Sequence, residues 1–165
     1  MEIRTLTVKD AEIYRDYRLE ALEQSPEAFA STYEETVSDT ALENIRANLN
    51  SDDSVTLGIF QEGELAASAA LRFYTLEKLK HKAHLLAMYV SPQARNKGYG
   101  RKLVEAALEI AKERQVEQVQ LAVVTRNKPA ISFYESLGFI TYGVEKRALK
   151  YKDKYWDENH MVLFL

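Results

Sequence analysis

The stretch from Leu85 to Arg114 constrains the fold most, because it joins a buried strand to an amphipathic helix through a short turn that contains glycines. Leu85–Val90 is an unbroken apolar run that Pro92 ends, which predicts a strand buried on both faces. From Arg101 onward the apolar residues recur at helical spacing, so a helix is predicted to begin just past Gly100. This order predicts that the first backbone amides of the helix lie unpaired at the end of the strand.

The turn between that strand and that helix is a predicted anion site. Glycine at positions 98 and 100 lets the backbone take a positive φ or approach a ligand closely. Unpaired amides at a helix N-terminus bind phosphate, and cations crowded there need an anion to compensate them. The basic residues in this position are Arg95, Lys97, Arg101 and Lys102. The alternative is that these four side chains only keep an exposed loop in solution.

Two common phosphate-binding loops do not match the turn. A nucleoside-triphosphate loop needs Gly-x-x-x-x-Gly-Lys-Ser/Thr, whereas Gly98 is followed by Tyr-Gly-Arg-Lys-Leu. A dinucleotide-binding fold needs a third glycine and an acidic residue at the end of the next strand, but the predicted strand Gln118–Val124 ends in Val-Val-Thr. Both classes of nucleotide site are therefore disfavoured.

Two motifs carry a resemblance to a known family. The hexapeptide from Arg95 to Gly100 resembles the Arg/Gln-x-x-Gly-x-Gly/Ala acyl-CoA signature of the GNAT superfamily of N-acetyltransferases. The stretch from Asn127 to Phe139 is similar to the family's second signature, Asn-x-x-Ala-x-x-Phe-Tyr-x-x-x-Gly-Phe. The resemblance implies an enzyme that transfers an acetyl group from acetyl-CoA to a primary amine by direct attack, without a covalent acyl-enzyme. A non-catalytic acyl-CoA sensor or interaction module on the same fold is the alternative.

The resemblance also implies roles for particular residues. Backbone groups of the strand would pair with the pantetheine arm like an added strand, and amides of the turn would hold the pyrophosphate. Tyr134 would protonate the departing thiolate, since a phenol with an ordinary pKa near ~10 can donate a proton. The alternatives are that Tyr134 only packs and that Asn127 only caps its helix. The cofactor-binding residues so implied are Met88, Tyr89, Val90, Arg95, Asn96, Lys97, Gly98, Tyr99, Gly100, Arg101, Asn127 and Tyr134.

The general base is left open by the sequence, because Leu85–Val90 contains no carboxylate and a lone histidine such as His84 is more often structural. The candidates are Glu34, Glu35, Glu158 and His160. Glu34 and Glu35 follow Phe29 and Tyr33 in the segment that walls the acceptor site in the family, so the predicted substrate-binding residues are Phe29, Tyr33 and Glu34. Glu158 and His160 are two positions apart in a predicted strand, so their side chains should lie on the same face of it. Together these groups suggest a polar or cationic acceptor: a small molecule, an amino acid, or a protein or peptide amine.

The remaining pattern predicts strands and helices along the whole chain. Apolar spacing favours a helix over Asp10 to Glu23 with Ile13 and Tyr17 facing inward. The other predicted elements are strands at Glu2–Thr7, Val55–Gln61, Glu64–Phe73, Ile140–Tyr151 and Tyr155–Leu165, and helices at Thr40–Leu49 and Lys128–Leu137. Their order predicts an α/β (α+β) protein whose mixed sheet carries helices on both faces. The resemblance implies a mostly antiparallel sheet of about seven strands and about four helices, with a splayed strand pair forming the CoA cleft.

Composition narrows the classes of protein further. The 165 residues are 46% hydrophobic, which suits one domain spanning 1–165. A net charge of −3 argues against a nucleic-acid partner. The absence of cysteine excludes disulfides, thiolate metal sites and a cysteine acyl-enzyme, and no metal is expected. No apolar run has the length of a membrane span and the start is polar, so no membrane partner and a cytoplasmic location are expected. The oligomeric state stays open, and a homodimer is compatible with the sequence.

Overall fold

A seven-stranded sheet organises the protein in the computed structural model, which describes residues 1–165. The strands are β1 (Glu2–Thr5), β2 (Ser54–Gln61), β3 (Glu64–Phe73), β4 (Lys82–Val90), β5 (Gln118–Val124), β6 (Ile140–Tyr151) and β7 (Lys154–Phe164). Their spatial order is β1-β2-β3-β4-β5-β7-β6. Every neighbouring pair is antiparallel except β4 and β5, which are parallel because a helix connects them. The predicted α/β fold with a mostly antiparallel sheet is confirmed.

Five α-helices flank the sheet. They are α1 (Ala11–Gln24), α2 (Tyr33–Val37), α3 (Asp39–Leu49), α4 (Tyr99–Glu113) and α5 (Lys128–Glu135). The prediction of about four missed α2, a short helix that forms because Thr32 and Glu35 make a reciprocal capping box. The Ser38 hydroxyl caps α3 by accepting a hydrogen bond from the amide of Ala41. None of these helices is both long and apolar enough to cross a membrane.

Two hydrophobic cores lie on the two faces of the sheet. The larger core packs α4 and α5 against the sheet, and Leu103 within it has no exposed surface, a burial worth about 1.5–3 kcal/mol. The smaller core includes Tyr14 and Tyr17 of α1, with Ile45 of α3 packed against it. Ile13 was predicted to face inward and is instead 48% exposed, since it lies about 100° around the helix from Tyr14.

A cleft opens in the sheet between β4 and β5. The two strands pair only at their beginnings, where His84 lies opposite Gln120, and they then diverge. The register of β4 against β3 shifts beyond Leu86, and Ala87 has a φ of 53°. The strand was predicted to be buried on both faces, but residues 86–88 are only half-buried because β5 no longer lies beside them. The splayed strand pair expected from the resemblance is confirmed.

Two element boundaries differ from the predictions for local reasons. The first strand ends at Thr5 rather than Thr7, because the Asp10 carboxylate accepts a hydrogen bond from the Thr7 amide at 2.7 Å and redirects the chain. Helix α5 ends at Glu135, before the predicted Leu137, and Gly138 then takes a φ of 96° that turns the chain toward β6.

Candidate active site

The loop between β4 and α4 presents a row of free backbone amides. Asn96 and Gly98 both have positive φ, at 61° and 75°. None of the six amides from Asn96 to Arg101 donates a hydrogen bond to a backbone or side-chain acceptor of the protein. Successive amides in such alternating conformations form a concave surface that binds anions. The backbone of this loop and the first turn of α4 therefore have the geometry that the predicted anion site requires.

The two glycines of the loop are required for different reasons. A methyl group at Gly98 would meet no atom within 4 Å, so the backbone there is open and only its positive φ favours glycine. A methyl group at Gly100 would lie 3.2 Å from Met88 Cε and 3.3 Å from Phe133 Cζ. The start of α4 therefore packs closely against β4 and α5. This packing brings together Met88 of β4, Gly100 of α4 and Phe133 of α5.

The basic side chains around the loop remain largely without acidic partners. Arg95 Nε donates to the Val90 carbonyl oxygen at 3.2 Å, and Lys97 Nζ donates to Gln61 Oε1 at 3.2 Å. Only Arg101 lies within 4 Å of a carboxylate, that of Glu105 at 3.7 Å. The loop thus combines free amides with uncompensated positive charge, which fits the diphosphate of coenzyme A. The alternative of a merely solubilising loop does not account for the aligned amides.

Helix α5 supplies two of the predicted residues. The Asn127 Oδ1 accepts a hydrogen bond from the Ala130 amide at 3.2 Å, so its role as N-cap is confirmed. Tyr134 is 7% exposed, and its ring packs edge-on against Phe133 and Phe139 at 5.1 and 5.7 Å between centroids. Burial raises its pKa well above the ordinary value, so the phenol stays protonated. Its hydroxyl has no hydrogen-bond partner within the protein. A buried phenol of this kind can donate a proton.

A polar cluster lies on the opposite face of the sheet. Leu85 and Met161 belong to the core beneath α4, so their neighbours His84 and His160 point to the other face. His160 Nε2 lies 2.9 Å from an oxygen of Glu145, and the ligand atoms of Glu145, Glu158 and His160 lie within 4.8 Å of one another, close enough to hold a cation. Burial raises the pKa of Glu158, and burial followed by the charge of Arg72 lowers the pKa of His84.

The sequence did not reveal Glu145 as part of this cluster. Glu145 lies directly opposite Glu158 in the β6–β7 hairpin. The hairpin itself was predicted, but its pairing includes register shifts between positions 141 and 143 and between 145 and 149. Such irregular pairing cannot be counted outward from the turn, so the partner of Glu158 emerges only in the folded chain.

The predicted substrate-binding residues line a cavity that does not include the polar cluster. A space of about 670 Å³ lies between the α1–α2 segment and the β6–β7 hairpin, and Phe29, Tyr33 and Glu34 line it together with Trp156. Glu35 is engaged elsewhere, because its carboxylate accepts a hydrogen bond from the Thr32 amide at 2.8 Å. Glu158 and His160 do not line this cavity, so the structure does not bring the two pairs of candidate bases together.

A second cavity contains two arginines that sequence reasoning missed. It has a volume of about 380 Å³ and lies between α1, α3 and strands β3 and β4. Arg18 and Arg72 line it, and neither has a carboxylate within 4 Å. The signal available in the sequence was Arg18 itself, which stands four positions after Tyr14 on the inward face of α1, where charged residues are uncommon.

Fold and site together define a class of protein. A sheet split by a cleft, a loop of free amides that fits a diphosphate and a buried phenol on the neighbouring helix are features that suit an acyl-CoA-dependent acyltransferase. Residues 14–139 match the family model described as the acetyltransferase (GNAT) family, and the chain belongs to that family. Membership confirms the predicted class of enzyme, an acetyl-CoA-dependent N-acetyltransferase.

Several relatives support this placement. The spermidine N(1)-acetyltransferase of Thermoplasma acidophilum is 28% identical over 148 residues, which cover 84% of this chain and 88% of the relative. The ribosomal-protein-alanine N-acetyltransferase structure from Brucella melitensis is 27% identical with a TM-score of 0.84, and each chain is covered completely. The structure of yncA from Salmonella typhimurium, solved with its cofactor acetyl-CoA, has a TM-score of 0.84 and 20% identity, and covers 100% of this chain and 94% of its own. At that identity it shows the fold alone. Two further curated N-acetyltransferases match over only 27% and 25% of their own length.

Proposed function

We propose that residues 1–165 form one catalytic domain that acetylates a primary amine by direct attack on acetyl-CoA, with cofactor contacts from the β4–α4 loop and a proton from Tyr134. The observation that carries the proposal is the row of six free amides from Asn96 to Arg101 beside uncompensated basic side chains. When bound, acetyl-CoA supplies an acetyl group activated as a thioester. The residues of this chain must then bind that donor, orient an amine and handle two protons.

Binding of the donor is assigned to backbone groups more than to side chains. The loop amides hold the diphosphate, and Arg95, Lys97 and Lys102 offset its charge. Beyond His84 the edge of β4 that faces the cleft is not paired with β5, so Met88–Val90 offers donors and acceptors to an extended arm. The Tyr89 carbonyl oxygen accepts a hydrogen bond from the Tyr17 hydroxyl at 2.8 Å, which ties this part of the strand to α1. Asn127 contacts the same arm from the start of α5.

The leaving thiolate receives its proton from Tyr134. The raised pKa keeps the phenol protonated at neutral pH, and the hydroxyl has no competing partner in the protein. Tyr134 lies in the core beneath α4, whereas Glu158 and His160 lie on the opposite face of the sheet. An acid and a base on opposite faces of the split sheet suit a reaction in which the amine enters from one side and the thiol departs on the other.

Glu158 is the candidate that best suits the acceptance of the amine proton. It is half-buried, no group of the protein donates a hydrogen bond to its carboxylate, and burial raises its pKa toward neutrality. Glu34 is exposed, and Glu35 is engaged by the Thr32 amide. His160 is hydrogen-bonded to Glu145 and serves to orient the cluster.

The acceptor enters along the larger cavity, where Phe29, Tyr33 and Glu34 contact it. The relatives are named for spermidine and for an alanine of a ribosomal protein, so the family includes small-molecule and protein amines. A polar primary amine of either kind is proposed as substrate. The cytoplasmic location and the homodimer stay predictions.

Thiol release from acetyl-CoA across a panel of amines tests the function. Tyr134→Phe should lower turnover by roughly 10²- to 10⁴-fold, the usual contribution of a general acid, and CoA affinity should be kept. Tyr74→Phe removes a hydroxyl from a tyrosine that stacks with Lys82 away from the cleft, and it should leave turnover unchanged.

Two results would contradict this account. Turnover within threefold of wild type in Tyr134→Phe would remove the proposed acid. If wild type binds CoA tightly and no amine accelerates thiol release, the alternative of a non-catalytic acyl-CoA sensor would replace the enzyme.

A further inference from the structure

The smaller cavity holds a guanidinium group that the fold does not satisfy. Arg18 stacks on Phe29, with 4.5 Å from its Cζ to the ring centroid, and one terminal nitrogen donates to Ser31 Oγ at 3.2 Å. The other terminal nitrogen is buried and has no hydrogen-bond partner. An unmatched buried donor destabilises a fold, and the loss is larger when the donor is charged. The fold retains this cost beside a cavity, which points to a ligand that supplies the acceptor.

A second positive charge lines the same cavity from the sheet. Arg72 is exposed at the end of β3, opposite His84 in the register with β4, and it has no carboxylate within 4 Å. Its charge contributes, after burial, to lowering the pKa of His84, so the histidine remains neutral at physiological pH. Arg72 is therefore not compensated by its neighbour.

The rest of the lining supplies only one negative charge against the two guanidinium groups. Glu35 is the one carboxylate around the cavity, and its oxygen is engaged by the Thr32 amide at 2.8 Å. Tyr14 also lines the cavity, and burial raises the pKa of its phenol, so it stays neutral. The cavity of about 380 Å³ thus carries two guanidinium groups and a net positive charge, within the size range of small-ligand sites.

The position of the cavity connects it to the reaction. Leu86 and Ala87, where the register of β4 shifts beside the cleft, form part of its wall. Ser31 lines both this cavity and the larger one, so the two spaces adjoin. A ligand held here lies on the same face of the sheet as Glu158, because Arg72 and His84 point to that face.

We propose that the acceptor is a primary amine that also carries a carboxylate, as an α-amino acid does, and that Arg18 and Arg72 bind this carboxylate in the smaller cavity. The inference rests on the proposed function and specifies its substrate class. A planar guanidinium matches a carboxylate through two parallel hydrogen bonds, which an amide cannot reproduce. The polar or cationic acceptor expected from the sequence is thereby refined to one that has both an amine and an anionic group.

Matched acceptors test the inference directly. Thiol release from acetyl-CoA is measured with the common α-amino acids, with the carboxamide of each, and with spermidine. Since hydrogen bonds to charged groups contribute about 1.5–3 kcal/mol, the best acid should exceed its amide in kcat/KM by roughly 10- to 100-fold. Arg72→Gln should remove this preference by raising KM for the acid, and it should leave the amide unchanged.

Two further variants separate binding from folding. Arg46→Gln changes an arginine of α3 that does not line the cavity and pairs with Glu12, so it should keep the preference for the acid. Arg18→Lys keeps the positive charge but loses the two parallel donors of the guanidinium group. Its KM for the amino acid should lie between those of wild type and Arg72→Gln. Circular dichroism should confirm that the variant is folded.

The outcomes distinguish this inference from the function on which it rests. If amides or spermidine are acetylated as well as any acid, or if Arg72→Gln weakens acid and amide equally, the carboxylate site is refuted and the acetyltransferase stands. If no amine accelerates thiol release, the proposed function fails first, and the carboxylate inference fails with it.

Discussion

Gly98→Ala offers the sharpest test of the anion loop. Gly98 has a φ of 75°, and a methyl group added to it would have no atom within 4 Å, so the substitution introduces backbone strain and no steric clash. An L-residue in this conformation costs about 1–2 kcal/mol relative to its ordinary one. Because neither Gly98 nor its neighbours donate amide hydrogen bonds within the protein, the free loop can relax to a negative φ and escape that cost.

Binding of CoA must then restore the strained conformation, because the amides converge only when residue 98 has a positive φ. The cost of about 1–2 kcal/mol should appear in the affinity, as a roughly 5- to 30-fold weaker Kd for CoA in calorimetry. The thermal midpoint of the ligand-free protein should change little.

Gly63→Ala is the matched control. Gly63 has a φ of 87° and also has no atom within 4 Å of a substituted Cβ, but it lies in the β2–β3 turn, where Gln61 pairs with Glu64. Relaxation there would break the hairpin, so the cost should appear in stability, as a fall in Tm of about 2–8 °C with unchanged CoA affinity. If Gly98→Ala binds CoA as tightly as Gly63→Ala does, the loop does not hold the diphosphate through its amides.

Two further predictions concern titrating groups. Arg4 donates hydrogen bonds to Asp10 at 2.8 and 2.9 Å and lowers the pKa of this carboxyl from 3.8 to about 2, so Asp10 stabilises the fold above pH 3.8 and loses that contribution as the pH falls toward 2. Asp10→Asn should be less stable than wild type at neutral pH, and its free energy of unfolding should fall less between pH 3.8 and pH 2. Urea titrations at several pH values measure this. Curves of unfolding free energy against pH that run parallel for variant and wild type would contradict the prediction. Burial raises the pKa of Glu158, so kcat/KM should fall as the pH drops through that raised value, and Glu158→Gln should abolish this limb and lower the plateau by roughly 10²- to 10⁴-fold. An unchanged pH profile in Glu158→Gln would remove it as the base.

The family and its cofactor site could be predicted from the sequence because their determinants are local. A glycine-bearing turn between an apolar run and a helical repeat is contiguous along the chain, and so is the motif that begins at Asn127. The cap that Asn127 provides and the positive φ of Gly98 depend on residues within a few positions. Such features follow from backbone sterics and short-range hydrogen bonding, which a sequence states directly.

The acceptor side of the site was decided by the tertiary structure. Arg18 and Arg72 stand 54 positions apart in the sequence and meet at one cavity only because α1 packs across β3 and β4. Glu145 contacts His160 because the register of the β6–β7 hairpin shifts at two places. Glu35, a candidate base in the sequence, caps α2 in the structure by accepting a hydrogen bond from the Thr32 amide. Local spacing determines which face of a helix or strand a side chain occupies. Which faces then meet depends on strand register and on packing across the sheet, and these arise only when distant segments bury their apolar surfaces together.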